Sequence, residues 1–484
     1  MTITLKNFGP IKELAMDLTK NLHLLYGESS VGKSYAAYCV YLLLSRLQEP
    51  LLRSGRHILP EDSTVDTALL EMLNNSQRQG HNEVEVGSSE FSILFLDTLA
   101  EALSDILIPL FQATFGNRLE ELNNEHTHGI FSIWLSTDIL DLIFSSRHEL
   151  GPLHLTGFIP RVPIVIQQNQ QDSPSYSIVK FENGRIVARS QKTFSALLRN
   201  YIIQSISASL QSIGSKMYYL PASRLGLYRM HTSFSPIIAE LATRRFDLRS
   251  PINLPSLTTP DADYIQQLAQ IQTHTTTSPL TTLAERIEHE VIKGTIHFEE
   301  QTKRIVFQPK GTNIWQDISH VSSMVAALAP LVLYLKYILT TPRPPELQFR
   351  ELKENASTQE QEAFQKRGIF LVFEEPEAHL HPTAQVKLME ILAELTKYNV
   401  RVMLTSHSDF MFSKLGNLVL GDVIDEKDIA VYHLVMTDEG SIDAKDMHIT
   451  KQEIRETNFA DVSEDLYDER LELIERLNEQ AEIA

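Results

Sequence analysis

The chain has 484 residues, of which 43% are hydrophobic and 22% are charged, a composition typical of a folded globular protein. A single cysteine excludes a disulfide framework and a cysteine-based zinc site. The 62 acidic residues outnumber the 43 basic ones, so the net charge of −19 argues against DNA as the principal ligand, although a local basic groove is compatible with it. The first residues lack the apolar core of a signal peptide, and no apolar run is long enough to span a bilayer. We therefore predict a cytoplasmic protein with no membrane partner.

The first 50 residues predict short strands that lead into a βα unit. Thr2–Leu5 and Leu14–Leu18 alternate apolar and polar side chains, and Leu22–Tyr26 is a continuous apolar run typical of a buried strand. A helix is expected from Ser34 to about Arg46, ending before Pro50.

A phosphate-binding loop lies between this buried strand and the helix. The segment fits the pattern GxxxxGKS and consists of Gly27, Glu28, Ser29, Ser30, Val31, Gly32, Lys33 and Ser34. In such a loop, backbone N–H groups and the helix N-terminus surround phosphate oxygens, the lysine adds a cation, and the serine hydroxyl is a Mg²⁺ ligand. The alternative, a chance match in a polar turn, is disfavoured by the strand before it and the helix after it. The sequence thus predicts a nucleoside triphosphate site.

The middle of the chain predicts a mixed but mainly helical region. Residues 50–150 have helical periodicity, clearest from Phe91 to Phe115, and 193–213 is helical again. Two strand-like stretches, Val162–Ile166 and Ile178–Phe181, lie between them. The Pro-, Ser- and Thr-rich residues 245–280 are expected to be a surface excursion.

The later part of the chain predicts two hairpins, three helices, two strands and a projecting loop. The hairpins are Thr295–Phe298 with Arg304–Phe307 and a turn around Asp438–Gly440. Helices are expected at 322–339, at 383–398 and in the acidic tail, strands at 368–373 and 400–405, and the projecting loop at 342–366.

Two carboxylates end the apolar strand at 368–373. A P-loop enzyme needs one acid at a strand end to hold Mg²⁺ and a neighbour to polarise the attacking water. We assign Glu374 to the metal, directly or through water, and Glu375 to the general base. The alternative is a pair of solvated acids, which the apolar strand disfavours.

Histidines follow both of these strands. His379 and His381 form a possible metal pair, but without further ligands a structural or subunit-contact role is favoured. His407 follows the strand Val400–Thr405 and is placed to orient the water or the base, with a buried core histidine as the alternative.

Four stretches carry a family resemblance: Leu5–Ile11, the phosphate loop, Phe373–Pro382 and Thr405–Phe410. Together they resemble the ABC-type ATPases of the RecF, SMC and OLD group, in particular the OLD-like, AAA_15-type branch. The resemblance implies an α/β P-loop NTPase fold of ABC-ATPase type, with a mixed sheet and flanking helices. This core would span 1–50 and 200–440, with a large, mostly helical insertion or lid carrying a small β element at 50–200 and an acidic helical tail at 441–484.

The same resemblance implies ATP and Mg²⁺ as cofactors and head-to-tail ATP-sandwich dimers. In these dimers a Ser-Ser-Gly signature of one subunit closes over the nucleotide of the other. The matching positions are Ser322 and Ser323, followed by Met324 in place of glycine; a simple helix N-cap is the alternative. Tyr219–Arg224 resembles another recurring stretch, in which Arg224 has at most a phosphate contact.

The chain length and domain architecture favour some members of this ATPase group over others. The stretch after His407 is too short for a Toprim nuclease domain, and no heptad arms are present. The chain is similar to the ATPase subunits of two-gene anti-phage systems, first the AriA type of PARIS and second the PtuA type of Septu and retron systems. This implies a sensor and scaffold that forms homo-oligomers (dimers, or higher assemblies such as a hexamer). It would hold a separately encoded nuclease effector of Toprim type and release it when a phage trigger protein is detected.

The sequence is also compatible with two other functions. A RecF-like DNA repair or recombination ATPase predicts turnover stimulated by DNA, a partner that the net charge does not favour. A structural module without hydrolysis is less favoured because Lys33, Glu375 and His407 are all present.

Overall fold

The computed structural model describes most of both halves of the chain. The described residues are 1–53, 67, 71–72, 74–76, 78, 83–86, 88–116, 118–124, 129–138, 140–147, 151–161, 164–169, 175–180, 206–232, 257–273, 278–340, 368–447, 449–451, 467 and 470–471. The predicted loop at 342–366, the first part of the predicted helix at 193–213 and nearly all of the acidic tail lie outside them.

Three strands and a long helix form the start of the chain as predicted. They are β1 (Thr2–Phe8), β2 (Ile11–Asp17), β3 (Leu22–Gly27) and α1 (Lys33–Arg53). The expected end of α1 before Pro50 is wrong, because the helix continues to Arg53. Its inner face, which includes Leu43 and Leu47, is fully buried, and such packing outweighs the low helix propensity of a proline.

The region after α1 contains more strands than expected. Its elements are β4 (Glu83–Val86), α2 (Ser88–Phe115), a 3₁₀ turn (Leu119–Leu122), β5 (Ser132–Ser136), β6 (Leu140–Arg147), β7 (Gly151–Pro160), β8 (Ile164–Asn169) and β9 (Ser175–Lys180). The helical interpretation is wrong for 132–147. In β5, buried Ile133 and Leu135 alternate with half-buried Ser132, Trp134 and Ser136, which is the two-residue period of a strand.

The second half alternates strands and helices. It contains β10 (Lys216–Leu220), α3 (Thr259–Ala269), α4 (Pro279–Arg286), β11 (Gly294–Glu299), β12 (Arg304–Pro309), β13 (Gln316–Asp317), α5 (Ser323–Leu333), β14 (Ile369–Glu374), α6 (Pro382–Leu395), β15 (Val400–Ser406), α7 (Asp409–Leu420), β16 (Ile429–Thr437) and β17 (Gly440–Asp443). Helical residues also occupy 206–213 and 224–232.

Short irregular turns complete these helices and connections. Ile287–Ile292 and Tyr334–Ile338 are π-helical, and 3₁₀ turns lie at Ile318–His320, Thr396–Tyr398 and Glu426–Asp428.

Most predictions for this half are confirmed, including both hairpins and the strands at 369–374 and 400–406. The expected surface excursion at 245–280 is wrong for its described part. Residues Thr259–Ala269 form α3, whose Tyr264 and Leu268 are buried in the core. Thr258 and Pro260 are its start signals, since the Thr258 hydroxyl caps the helix and proline is favoured in the first turn.

An eleven-stranded mixed sheet organises the molecule, in the order β10-β14-β15-β3-β16-β17-β2-β1-β5-β6-β7. Following this spatial order, the five strands from β10 to β16 pair in parallel, whereas the five strands from β2 to β7 pair antiparallel. One apolar cluster, with α1 and α2, covers one face, and a second cluster, with α3 to α7, covers the other. The predicted α/β fold with a mixed sheet and flanking helices is confirmed. The strands β5 to β7 of the predicted 50–200 insertion belong to this main sheet.

Among the described residues, none of the helices combines the length and apolarity needed to cross a membrane.

Candidate nucleotide site

The candidate site lies at the carboxyl ends of the parallel strands, where β3 enters its loop and β14 and β15 end. A cavity of about 500 Å³ opens there. It is lined by Pro10, Ser29, Ser30, Gly32, Lys33, Ser34, Tyr35, Glu375, Thr405 and His407. Segments that are far apart in sequence therefore meet at one sheet edge, which is the usual position of a ligand site in α/β folds.

The phosphate loop has a backbone that requires its two glycines. Gly27 has a φ of 142° and Gly32 a φ of 96°, both in the region that side chains rarely adopt. A Cβ on Gly27 would lie 2.3 Å from the carbonyl oxygen of Leu434 on β16, and one on Gly32 would lie 2.6 Å from Ile11. The loop is thus packed directly against two neighbouring strands.

Lys33 reaches back across the loop. Its Nζ donates to the carbonyl oxygens of Gly27 at 2.9 Å and Glu28 at 2.6 Å, and the side chain is only 6% exposed. Burial lowers the pKa of Lys33 to about 8, although the carboxylates of Glu375 and Glu377 oppose that shift. The ammonium group therefore lies at the cavity wall, where a phosphate oxygen can replace the two carbonyls.

Ser34 and Glu374 come together on the inner side of the loop. The Glu374 side chain is 2% exposed, and its carboxylate accepts hydrogen bonds from the Ser34 hydroxyl and, at 3.4 Å, from the Ala222 N–H. Burial raises the pKa of Glu374, and the Ser34 hydrogen bond opposes this. A hydroxyl beside a buried carboxylate is a donor set that suits Mg²⁺, whose charge would favour the ionised acid. Both residues predicted for the metal thus fit that role.

Glu375 and His407 face each other across the cavity. Glu375 Oε1 lies 3.7 Å from His407 Nε2, and His407 Nδ1 lies 3.4 Å from Lys33 Nζ. Because an ammonium group can only donate, Nδ1 is the acceptor of this contact, and Nε2 faces Glu375. The neighbouring His407 lowers the pKa of Glu375, so the carboxylate is ionised at neutral pH. The structure brings together Lys33, Glu375 and His407 as the sequence predicted, while their catalytic roles stay predictions.

Glu377 is a site residue that the sequence reasoning missed. Its Oε1 accepts the Ser406 hydroxyl at 2.9 Å and the His407 N–H at 2.6 Å. Burial raises the pKa of Glu377, while these hydrogen bonds oppose the shift. The carboxylate thereby fixes the backbone that carries His407. Its only signal in the sequence was its place in the stretch Phe373–Pro382.

The two other histidines are outside this arrangement. His379 and His381 are exposed, and His381 Nδ1 caps helix α6 by accepting the Thr383 N–H at 3.3 Å. The structural role favoured for His381 is therefore observed.

Ser322 and Ser323 are not among the residues that line this cavity. Both are exposed at the start of α5, where the Ser322 hydroxyl faces the Val325 N–H at 3.5 Å as an N-cap. Met324, which occupies the glycine position of the signature, packs against the second apolar cluster. The N-cap alternative is thus observed, and it leaves both hydroxyl groups at the surface.

Arg224 lies outside the described wall of this cavity. The side chain is 1% exposed and donates to backbone carbonyls. The guanidinium group is enclosed between α5 and the end of β14, which suits a supporting position, and a phosphate contact stays a prediction.

The sheet, the glycine-bounded loop and the acids at the neighbouring strand end define the class of P-loop nucleotide-binding proteins. Residues 347–412 match the family model AAA_15, described as an AAA ATPase domain, a match that includes β14, β15 and the residues Glu374, Glu375 and His407. This supports an ATPase. A search of curated proteins finds no match.

Solved structures similar to this chain include several SMC head domains. An SMC head bound to the C-terminal winged-helix domain of ScpA is 12% identical, with 91% of this chain and 95% of that chain covered and a TM-score of 0.33. The SMC head domain from Thermotoga maritima is 10% identical, with coverages of 91% and 96% and a TM-score of 0.30. A head with an extended coiled coil, bound to the C-terminal domain of ScpA and derived from Pyrococcus furiosus, is 11% identical, with coverages of 97% and 98% and a TM-score of 0.32.

Proposed function

We propose that the protein binds and hydrolyses ATP in the cavity at the carboxyl ends of β3, β14 and β15. The observation that carries this proposal is the pairing of Glu375 with His407 directly beside Lys33. An ionised carboxylate, an oriented imidazole and a cation thus line one cavity with a phosphate-binding loop. Water activation next to a triphosphate needs this combination of groups.

Each residue has a separate task in this reaction. Backbone N–H groups of the loop bind the phosphates, and Lys33 exchanges its carbonyl contacts for phosphate oxygens. Ser34 and Glu374 would hold Mg²⁺, which when bound neutralises charge on the phosphate oxygens. Glu375 takes the proton of the attacking water, and His407 keeps the Glu375 carboxylate ionised and oriented.

The decisive test is ATP turnover by the wild type and by Glu375→Gln, with and without linear duplex DNA at moderate salt. We expect Glu375→Gln to bind ATP as tightly as the wild type and to lose turnover by at least about 10²-fold, because the amide cannot accept the proton. Glu13→Gln, on the exposed face of β2, is the matched control and should retain full turnover. Unchanged turnover in Glu375→Gln would overturn the assignment of the base.

We also propose that two copies pair head to tail around ATP. The support is the exposed position of Ser322 and Ser323 at the N-terminus of α5, outside their own subunit's cavity. Exposed hydroxyls and N–H groups at a helix N-terminus suit a phosphate contact with a second subunit. Light scattering of Glu375→Gln should show an ATP-dependent dimer or larger oligomer, and Ser323→Arg should prevent it. An ATP-independent monomer in both variants would exclude this arrangement.

For the biological role, we propose the sensor and scaffold subunit of an anti-phage system of the AriA or PtuA type. It would hold a Toprim-type nuclease inactive until a phage protein is detected. The support is the motif resemblance of Phe373–Pro382 and Thr405–Phe410, together with the acidic net charge. Co-expression with the product of an adjacent nuclease gene should yield a complex and protect cells from phage. Turnover that rises several-fold with DNA ends would instead favour the RecF-like function.

A further inference from the structure

The buried side chain of Arg224 donates hydrogen bonds to four backbone carbonyls. Its Nε donates to the Ala327 carbonyl at 2.7 Å, and its Nη1 to the carbonyls of Pro221 and Glu374, both at 3.2 Å. Its Nη2 donates to the Glu375 carbonyl at 3.3 Å, and the guanidinium carbon lies 5.0 Å from the centre of the Phe373 ring. All three nitrogens of the buried fork are thus used, and each is bonded to main chain.

Three of these four carbonyls belong to two elements of the proposed site. Ala327 is in the second turn of α5, the helix whose N-terminus presents Ser322 and Ser323. Glu374 and Glu375 are the metal-binding acid and the base at the end of β14. A single side chain therefore joins the surface proposed to contact a second subunit's nucleotide with the catalytic backbone of the same subunit.

The backbone of Glu375 needs such support. Its φ of 41° is in the left-handed region, which is unfavourable for a residue with a side chain. Its N–H donates to the Thr405 carbonyl at 3.0 Å, and its carbonyl accepts from Arg224 and, at 3.1 Å, from the Ala378 N–H. These bonds hold the conformation that directs the carboxylate towards His407. Arg224 is the only contributor among them that also contacts α5.

We propose that Arg224 is a positioning residue that couples the helix carrying Ser322 and Ser323 to the backbone of the catalytic Glu375. This inference rests on the proposed function. In a head-to-tail dimer, nucleotide bound in one site contacts α5 of the subunit whose own Glu375 serves the other site. Arg224 then transmits occupancy of one site to the base of the other, and hydrolysis becomes cooperative in ATP.

Arginine is needed because of its geometry. Its planar fork supplies five donors in fixed directions, whereas a lysine ammonium supplies three donors from one atom. Lysine at this position keeps the charge and much of the volume, but it cannot span α5 and the end of β14 together. Arg224→Lys therefore tests the connection with little change in charge.

Arg401 provides a matched control. It is an arginine that donates to backbone carbonyls, those of Ser212 at 2.6 Å and of Ile213, but it is only partly buried, and it lies near the start of β15, at the end of the strand remote from His407. Arg401→Lys should therefore remove backbone contacts of an arginine without affecting the site.

The first measurement is steady-state ATP turnover against ATP concentration. For Arg224→Lys we expect an unchanged affinity for ATP, a kcat lower by about 10²-fold, as a misplaced catalytic group can produce, and a Hill coefficient that falls to about 1. The wild type and Arg401→Lys should keep a Hill coefficient above 1. If Arg224→Lys has the turnover and cooperativity of the control, Arg224 only stabilises the fold and the inference is wrong. A lower kcat with unchanged cooperativity would overturn the coupling between sites.

Hydrogen exchange gives a readout that does not depend on hydrolysis. In Arg224→Lys, the amides of Glu375, Glu377 and Ala378 and of the first turns of α5 should exchange at least about tenfold faster than in Arg401→Lys. Equal exchange in the two variants would contradict the connection even if the wild type proved unable to hydrolyse ATP. A wild type without turnover but with the expected exchange pattern would instead reject the proposed function alone.

Discussion

The two halves of the main sheet differ in direction of pairing and in chemistry. From β10 to β16 the strands are parallel, and their carboxyl ends supply Lys33, Glu374, Glu375 and His407 through the loops that follow them. From β2 to β7 the strands are antiparallel, and of their described residues only the turn between β1 and β2 reaches the cavity, through Pro10.

This difference separates the candidate nucleotide site from the part of the sheet that supports it. Parallel strands end at the same edge, so residues that follow them converge on one site. Antiparallel strands alternate their ends, so neighbouring turns lie on opposite edges and cannot gather a comparable group of side chains. Substitutions in the parallel half should therefore change ATP chemistry, and substitutions in the antiparallel half should change stability alone.

The largest expected effect is on the stability of the antiparallel half. Phe144 on β6 is 1% exposed, and Phe144→Ala should lower the free energy of unfolding by about 3–5 kcal/mol through the cavity it leaves. Chemical denaturation measures this loss. Turnover per folded molecule at low temperature should equal that of the wild type, and a reduced kcat would break the separation between the halves.

In the parallel half, His407→Ala should lower kcat by about 10–10²-fold with little change in stability. The pH profile of kcat supplies a second signature. Because the neighbouring His407 lowers the pKa of Glu375, its removal raises that pKa, and the acidic limb of the profile should move to higher pH. His407→Gln, whose amide can still donate, should move the limb less. Identical limbs in all three proteins would show that His407 does not act on Glu375.

The charge of Lys33 should give ATP affinity a characteristic pH dependence. Its pKa of about 8 means that the free protein loses this charge as the pH rises through 8, so ATP affinity should fall by up to about tenfold per pH unit above that value. Titration calorimetry from pH 7.5 to 10 measures the trend. Lys33→Arg keeps its charge over this range and should show a flat profile. A flat profile in the wild type would mean that Lys33 stays protonated.

The smallest effect is expected at the surface of the antiparallel half. Lys6 and Glu13 are paired across β1 and β2 with 3.3 Å between Nζ and Oε1, but both are about half exposed. Glu13→Gln should therefore change the free energy of unfolding by less than about 1 kcal/mol. Denaturation at low and high salt checks this value, and a larger loss would show that the antiparallel half depends on charge pairing as well as on its core.

The sequence was most informative in the parallel half, where its motifs are contiguous. The glycines of the loop, the acids after β14 and the histidine after β15 each follow a buried strand, and that order alone places them at one edge. Glu377 and Arg224 could not be assigned in this way, because most of their hydrogen-bond partners are main-chain atoms distant in sequence. The strand β5 is not predicted, because its two-residue alternation of buried and half-buried side chains lies within the region 50–150, whose periodicity is mainly helical. The course of α1 through Pro50 depends on packing, which a local propensity does not include.

The contacts behind the phosphate loop set an order for biosynthesis. Gly27 lies against the carbonyl of Leu434, and the Ser441 hydroxyl donates to the Val31 carbonyl at 2.6 Å, so about 400 residues separate the loop from the strands that brace it. Pairings of such sequence separation form late. As the ribosome synthesises this chain, β3 remains without β16 until nearly all of the described core has emerged. The phosphate loop therefore gains both of these bracing contacts only after the last strands of the described sheet have been synthesised.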